Sequence, residues 1–115
     1  MFILQWVPEA AATYDRLRAK AEAVLRSRKT KGRRKSSRDE GLFKQVHKTI
    51  TLLANNPRHP GLQTHEYTSI NNPFAPSEKV FEAYAQQRTP SAYRVFWCYG
   101  PGRNEVTIIA ITPHP

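Results

Sequence analysis

Four histidines, one cysteine and a run of basic side chains are what this sequence offers for chemistry. An imidazole titrates near neutrality and can take up or release a proton, so each histidine has to be weighed. His65 stands beside Glu66 in an alternating stretch. Strand geometry sends these two side chains to opposite faces, only one of them can line a cleft, and His65 is the candidate for proton transfer. His59 lies among prolines and reads as structural. His47 falls near an apolar helical stripe and reads as packed. His114 is one residue from the end, where spacing alone suggests a tail. The four lack zinc-like spacing and cysteine partners, so neither a metal nor another cofactor is expected. Cys98 cannot form an internal disulfide and sits in the apolar run Tyr93 to Tyr99, which makes it a buried core residue and the setting a reducing, cytoplasmic one.

The charge is concentrated. Arg26, Arg28, Lys29, Lys31, Arg33, Arg34, Lys35 and Arg38 supply 8 of the 18 basic residues within positions 26–38, with no acid among them. The rest of the chain carries ten basic against nine acidic residues, so a nearly neutral body bears one cationic segment. That pattern points either to a polyanionic or acidic partner at the segment or to a solvated loop. Elsewhere, Arg94 has the planar fork that can hold two phosphate oxygens, or it pairs across a sheet with Glu82 or Glu66. Tyr84, Tyr93, Trp97 and Tyr99 are strand aromatics, most of them core, that could also stack on planar rings.

These residues need elements to hold them. With 115 residues, 39% of them apolar, the chain has enough for one modest core, and a single domain over 1–115 is expected. Met1 to Val7 has no basic lead-in and runs into Pro8, so neither a signal peptide nor a membrane span fits. Alternation predicts a strand over Phe2 to Val7. The stripe Ala10, Tyr14, Leu17, Ala21, Val24 and Leu25 then predicts a helix over about 9–27. Ser37 and Glu40 have capping-box spacing and start a second helix, whose stripe is Phe43, Val46, Ile50 and Leu53 and whose stop is Asn55-Asn56-Pro57. Strands are predicted from Leu62 to Tyr67, around Val80 to Ala85, and over Tyr93 to Tyr99 and Glu105 to Thr112. The last two flank the hairpin loop Gly100 to Asn104 and should pair at the centre. The expectation is therefore α+β, with an N-terminal strand, a helical hairpin with its basic tip at about 26–38, and four further strands in one twisted, antiparallel-rich sheet.

The element order resembles that of the RelE/ParE superfamily of type II toxins. So do Asn55-Asn-Pro-Arg-His-Pro-Gly-Leu62 after the second helix, Val80-Phe-Glu-Ala-Tyr84, Ala92-Tyr-Arg-Val-Phe-Trp97 and the terminal strand Glu105 to His114. The likeness covers residues 1–7 and 40–115, and its most specific piece is the arginine opening the central strand. It implies a helical hairpin on one sheet face, an RNA-binding cleft on the other and a cognate antitoxin. It also implies metal-independent endoribonuclease action on messenger RNA at the ribosome. In such a site Arg94 would be the phosphate clamp, His114 an acid or base and His65 the second proton-transfer group. Tyr84 would face substrate, and the basic tip would hold ribosomal RNA phosphates. The pattern departs from the family at Glu82, Tyr84 and Gln86, where basic residues are common. It departs again at Pro60-Gly61, where one branch has an acid, and at Pro115, where some members end in tyrosine. These departures keep two alternatives open: a ParE-like inhibitor of DNA gyrase without nuclease activity, and an inactive RNA- or ribosome-binding module.

Overall fold

A computed structural model describes residues 1–30 and 37–113. Strand β1 (Ile3–Trp6) leads through Val7 into helix α1 (Pro8–Thr30), and Pro8 suits the first helical turn, where its missing N–H costs nothing. Helix α2 (Arg38–Asn55) opens on the expected capping box. Glu40 N–H donates to Ser37 Oγ at 3.1 Å, and Ser37 N–H donates to Glu40 Oε1 at 3.1 Å. At its far end Asn56 N–H closes on Leu52 O, and Pro57 prevents continuation.

The sequence pattern places the next strand from Leu62, and here the structure differs. Residues Pro60–Leu62 form a single 3₁₀ turn, capped by His59 Nδ1, which accepts the Gly61 N–H at 2.9 Å. A side chain at position 61 would meet the His59 ring at 3.0 Å and press on the cap, which glycine avoids. Leu62 thereby drops into the core, and β2 shrinks to His65–Glu66. Strands β3 (Phe81–Tyr84), β4 (Tyr93–Tyr99) and β5 (Glu105–Pro113) follow.

One mixed sheet results, in the order β1-β5-β4-β3-β2. All neighbours are antiparallel except β1 and β5, which run parallel. The two longest strands, β4 and β5, lie inside it, as their apolar content predicts. Phe96 pairs with Ala110 and Trp97 with Ile108, which leaves Ile109 as a bulge that re-aims the end of β5.

Helices cover one face. Val46, Ile50 and Leu53 of α2 and Ala10 and Leu17 of α1 pack on Ala83, Val95, Trp97, Val106, Ile108 and Ile111. Cys98 points to the other face, yet is fully buried, and burial pushes its thiol up to about 11. No helix among the described residues is long and apolar enough to cross a membrane.

The hairpin reaches past this core. Beyond Ala21 no described residue of α1 is buried, and α2 buries none before Val46. What joins the distal halves is a fork: Arg28 donates from Nε to Glu40 Oε1 at 3.1 Å and from Nη2 to Oε2 at 2.6 Å. The Arg28 guanidinium first, and the Ser37 N–H after it, hold the Glu40 carboxyl below its ordinary 4.5. A lowered folded pKa adds stability that is complete above the unfolded value and is lost as pH falls through the folded one. Glu40→Gln is thus expected to lower the urea midpoint at pH 7, with the gap to the parent closing as both are titrated below 4.5. A gap independent of pH would mean that shape, rather than charge, holds the hairpin.

Candidate active site

Strand alternation assembles the site. His65 is the register partner of Glu82, and Tyr84 that of Arg94, so all four side chains share the sheet face turned away from the helices. Glu82 sits at the centre with 1% of its surface exposed. A carboxylate that deep is tolerable only when cations and donors surround it. His65 Nε2 lies 2.5 Å from Oε1, and Arg94 Nε lies 3.8 Å from Oε2.

Arg94 is 8% exposed. Its Nη1 donates to Gln86 O at 2.7 Å and to Tyr93 O at 3.3 Å, and its Cζ lies 3.8 Å from the centroid of the Tyr84 ring. The Nε–H has no hydrogen-bond partner, since 3.8 Å is an ion-pair distance beyond hydrogen-bond reach. The pairing that the sequence allowed with Glu82 or Glu66 is therefore made with Glu82. Glu66 projects from the opposite face of β2 and lies 3.9 Å from Lys79. A phosphate clamp needs an exposed fork, and here the side chain is buried with its Nη1 bound to two backbone carbonyls.

His65 is about half exposed, with 48% of its side chain open. Its Nε2 faces the Glu82 carboxylate and its Nδ1 stands 3.3 Å from Gln63 O. The ring also meets the Tyr84 ring edge-on, 5.7 Å between centroids. Tyr84 is thus covered by Arg94 on one side and flanked by His65 on another.

The other expected residues are scattered. Arg26, Lys29 and Arg38 are exposed on the distal hairpin, whereas Arg28 is committed to Glu40. Against the expectation of packing, His47 is exposed; its Nδ1 lies 2.8 Å from the Tyr14 hydroxyl, whose pKa burial raises. His114 and the tip residues Lys31, Arg33, Arg34 and Lys35 lie outside the described residues. Among the described residues no three histidine, cysteine or acidic side chains gather as a metal site would require. The residue that the sequence pattern does not single out is Glu82, which stands there only as a departure or an ion-pair partner. Its position two residues before Tyr84 was the available signal, but only the register with β2 brings His65 to it.

No family model matches the chain, and no curated protein matches it in sequence. Solved structures do, and they define the class: the chain has the α+β fold of the RelE/ParE toxin superfamily. A YoeB/ParE toxin from Agrobacterium tumefaciens superposes with a TM-score of 0.59 at 9% identity, covering 97% of this chain and 98% of the other. A YoeB dimer from Staphylococcus aureus gives 0.56 at 10% identity, covering 99% and 98%. At such identities the likeness is one of fold, and the chemistry has to be read from this chain's own side chains.

The geometry separates support from chemistry. Glu82→Ala would leave buried Arg94 without its carboxylate, and a loss of about 3–5 kcal/mol in urea unfolding is expected. His65→Ala removes a half-exposed ring and should cost less than about 1 kcal/mol. Equal losses would make the pair a purely structural one.

Proposed function

We propose that this protein is the toxin of a toxin–antitoxin pair, working in the cytoplasm as a metal-independent endoribonuclease on messenger RNA at the ribosome. The observation that carries the proposal is a half-exposed imidazole oriented by a buried carboxylate on the open face of a toxin-type sheet. Cleavage of this kind needs a base to take the 2′-hydroxyl proton and an acid for the departing 5′-oxygen. Positive charge must also face the phosphorane-like transition state. Since Glu82 engages Nε2 of His65, proton exchange with a substrate falls to Nδ1. In this reading His65 is the proton donor and His114 the base. Arg94 balances Glu82 and sets the ring of Tyr84, leaving Tyr84 to contact RNA. The distal hairpin with Arg26, Lys29 and Arg38, continued by Lys31, Arg33, Arg34 and Lys35, meets ribosomal RNA phosphates. A cognate antitoxin is the expected protein partner.

One observation favours a second reading. Buried, and with Nη1 taken by the carbonyls of Gln86 and Tyr93, Arg94 is poorly placed to grip a phosphate. That suits a non-nuclease inhibitor of DNA gyrase, or a module that binds RNA without cutting it.

Induced expression followed by mapping of 5′ ends on cellular messages tests the choice. The wild type should arrest growth and create new ends, and His65→Ala combined with His114→Ala should reduce those ends by a factor of roughly 10² or more. Arrest with intact messages would overturn the nuclease reading, and a DNA-damage response would select gyrase. For the hairpin, replacing Arg33, Arg34 and Lys35 by glutamine should weaken ribosome binding and flatten its dependence on salt. An unchanged slope would remove the tip from the interface.

A further inference from the structure

Alternation along β3 and its continuation would put residues 82, 84 and 86 on one face, yet the Gln86 side chain does not join Glu82 and Tyr84 on the open one. The N–H groups of Ala85 and Gln86 both donate to Tyr93 O, at 3.2 Å and 3.1 Å, so two residues stand opposite one. This is a bulge, and it turns the Gln86 side chain toward α2. There its Nε2 donates to Gln45 Oε1 at 3.0 Å, while its Oε1 accepts the Tyr93 N–H at 3.0 Å. A backbone N–H can only donate, so the amide oxygen must face Tyr93 and the amide NH₂ the helix. The position needs one planar group that accepts on one side and donates on the other, and glutamine supplies both.

What this side chain holds in place is its own backbone. Gln86 O receives Arg94 Nη1 at 2.7 Å, closer than Tyr93 O at 3.3 Å. Glu82 balances the guanidinium charge, but at 3.8 Å it makes no hydrogen bond that could aim the group. Nor does the turn that follows supply the aim. Arg88 and Ser91 have φ of 60° and 55°, a left-handed conformation that is costly for residues other than glycine, so this turn needs an anchor at its start. A second tie lies one helical turn further along α2, where the Thr49 hydroxyl stands 3.3 Å from Tyr84 O. Gln45 and Thr49, four residues apart, thus set the helix in register against residues 86 and 84, whereas the apolar packing of Val46, Ile50 and Leu53 carries no direction.

We infer that Gln86 is the positioning residue of the open face: its amide, held between Tyr93 and Gln45, aims the Gln86 carbonyl at Arg94, and Arg94 in turn fixes the plane of the Tyr84 ring against which RNA lies. The contact with RNA rests on the nuclease reading, whereas the placement of Arg94 and Tyr84 by Gln86 does not. Gln86 touches no substrate in this scheme. It acts through the guanidinium that lies 3.8 Å from the centroid of the Tyr84 ring.

The test has one readout in the free protein and one in the cell. The ring resonances of Tyr84 report how Arg94 stacks on it. Gln86→Met keeps the length of the side chain and removes both of its hydrogen bonds, and it should move these resonances toward averaged positions. Gln45→Leu, on an exposed helix position, should move them in the same direction by less, whereas Gln45→Glu, which retains the acceptor for Gln86 Nε2, should leave them in place. In the mapping of 5′ ends, Gln86→Met should lower the yield of new ends about tenfold, the equivalent of one hydrogen bond. Combined with Tyr84→Ala it should lower the yield no further than Tyr84→Ala alone, because the effect passes through that ring. A side chain that merely supports the fold would lower the yield by the same factor in both backgrounds, and the inference would fall. It would fall equally if Gln86→Met left the Tyr84 resonances unmoved, or moved them with the yield unchanged. Absence of new ends with the wild type would sink the nuclease reading alone, since the resonances decide the placement without any cleavage.

Discussion

A carboxylate closed off from water has to be surrounded before a sheet can form around it. Glu82 meets that condition by drawing on three strands at once: its own β3, β2 through His65 and β4 through Arg94. The two-residue β2 has little backbone pairing of its own, and the His65–Glu82 contact adds a side-chain tie at this edge. The same carboxylate dictates where Arg94 lies, and Arg94 in turn sets the plane of Tyr84. Geometry at the open face thus descends from one buried charge, and a residue that looks like a departure from a basic pattern organises its neighbours.

The sheet serves two faces with different physics. Toward the helices, Ala83, Val95 and Trp97 join the apolar core, and that layer ends where α2 stops at Asn55. Past that end, Phe81, Trp97 and Tyr99 are left with loop residues for company, which is why a hollow with aromatic walls appears there. On the opposite face Glu82, Tyr84 and Arg94 bring charge, and Phe96 is sheltered by the Tyr67 ring at 4.7 Å. Strand alternation therefore keeps a charge-centred cluster and an aromatic-walled hollow on opposite faces of one sheet.

Much of this was legible in the residues because it is local. The capping box of Ser37 and Glu40, the stop at Pro57 and the hairpin after Tyr99 each depend on a few neighbouring positions, and each appears where the spacing puts it. The strand expected from Leu62 was misjudged because His59 caps a turn that alternation cannot register. Glu82 escaped notice for a different reason: its role depends on which strands pair and in what register, and β2 and β3 are fourteen residues apart between Glu66 and Phe81. Arg28 is similar, since a run of cations gives no hint that one of them will be claimed by a glutamate across the hairpin. The fold itself was legible through element order, and the solved toxin structures share it.

Cys98 carries a consequence of its own. It is the chain's single thiol, it has no exposed surface, and burial holds its pKa near 11, so the reactive thiolate is scarce and shielded in the folded state. It sits in the middle of the inner strand β4, one of the last places to open when a sheet frays from its edges. Alkylation of that sulfur therefore keeps time for the whole fold. Each modified molecule records one excursion in which the centre of the sheet came apart, with no probe added and no other cysteine to confuse the count.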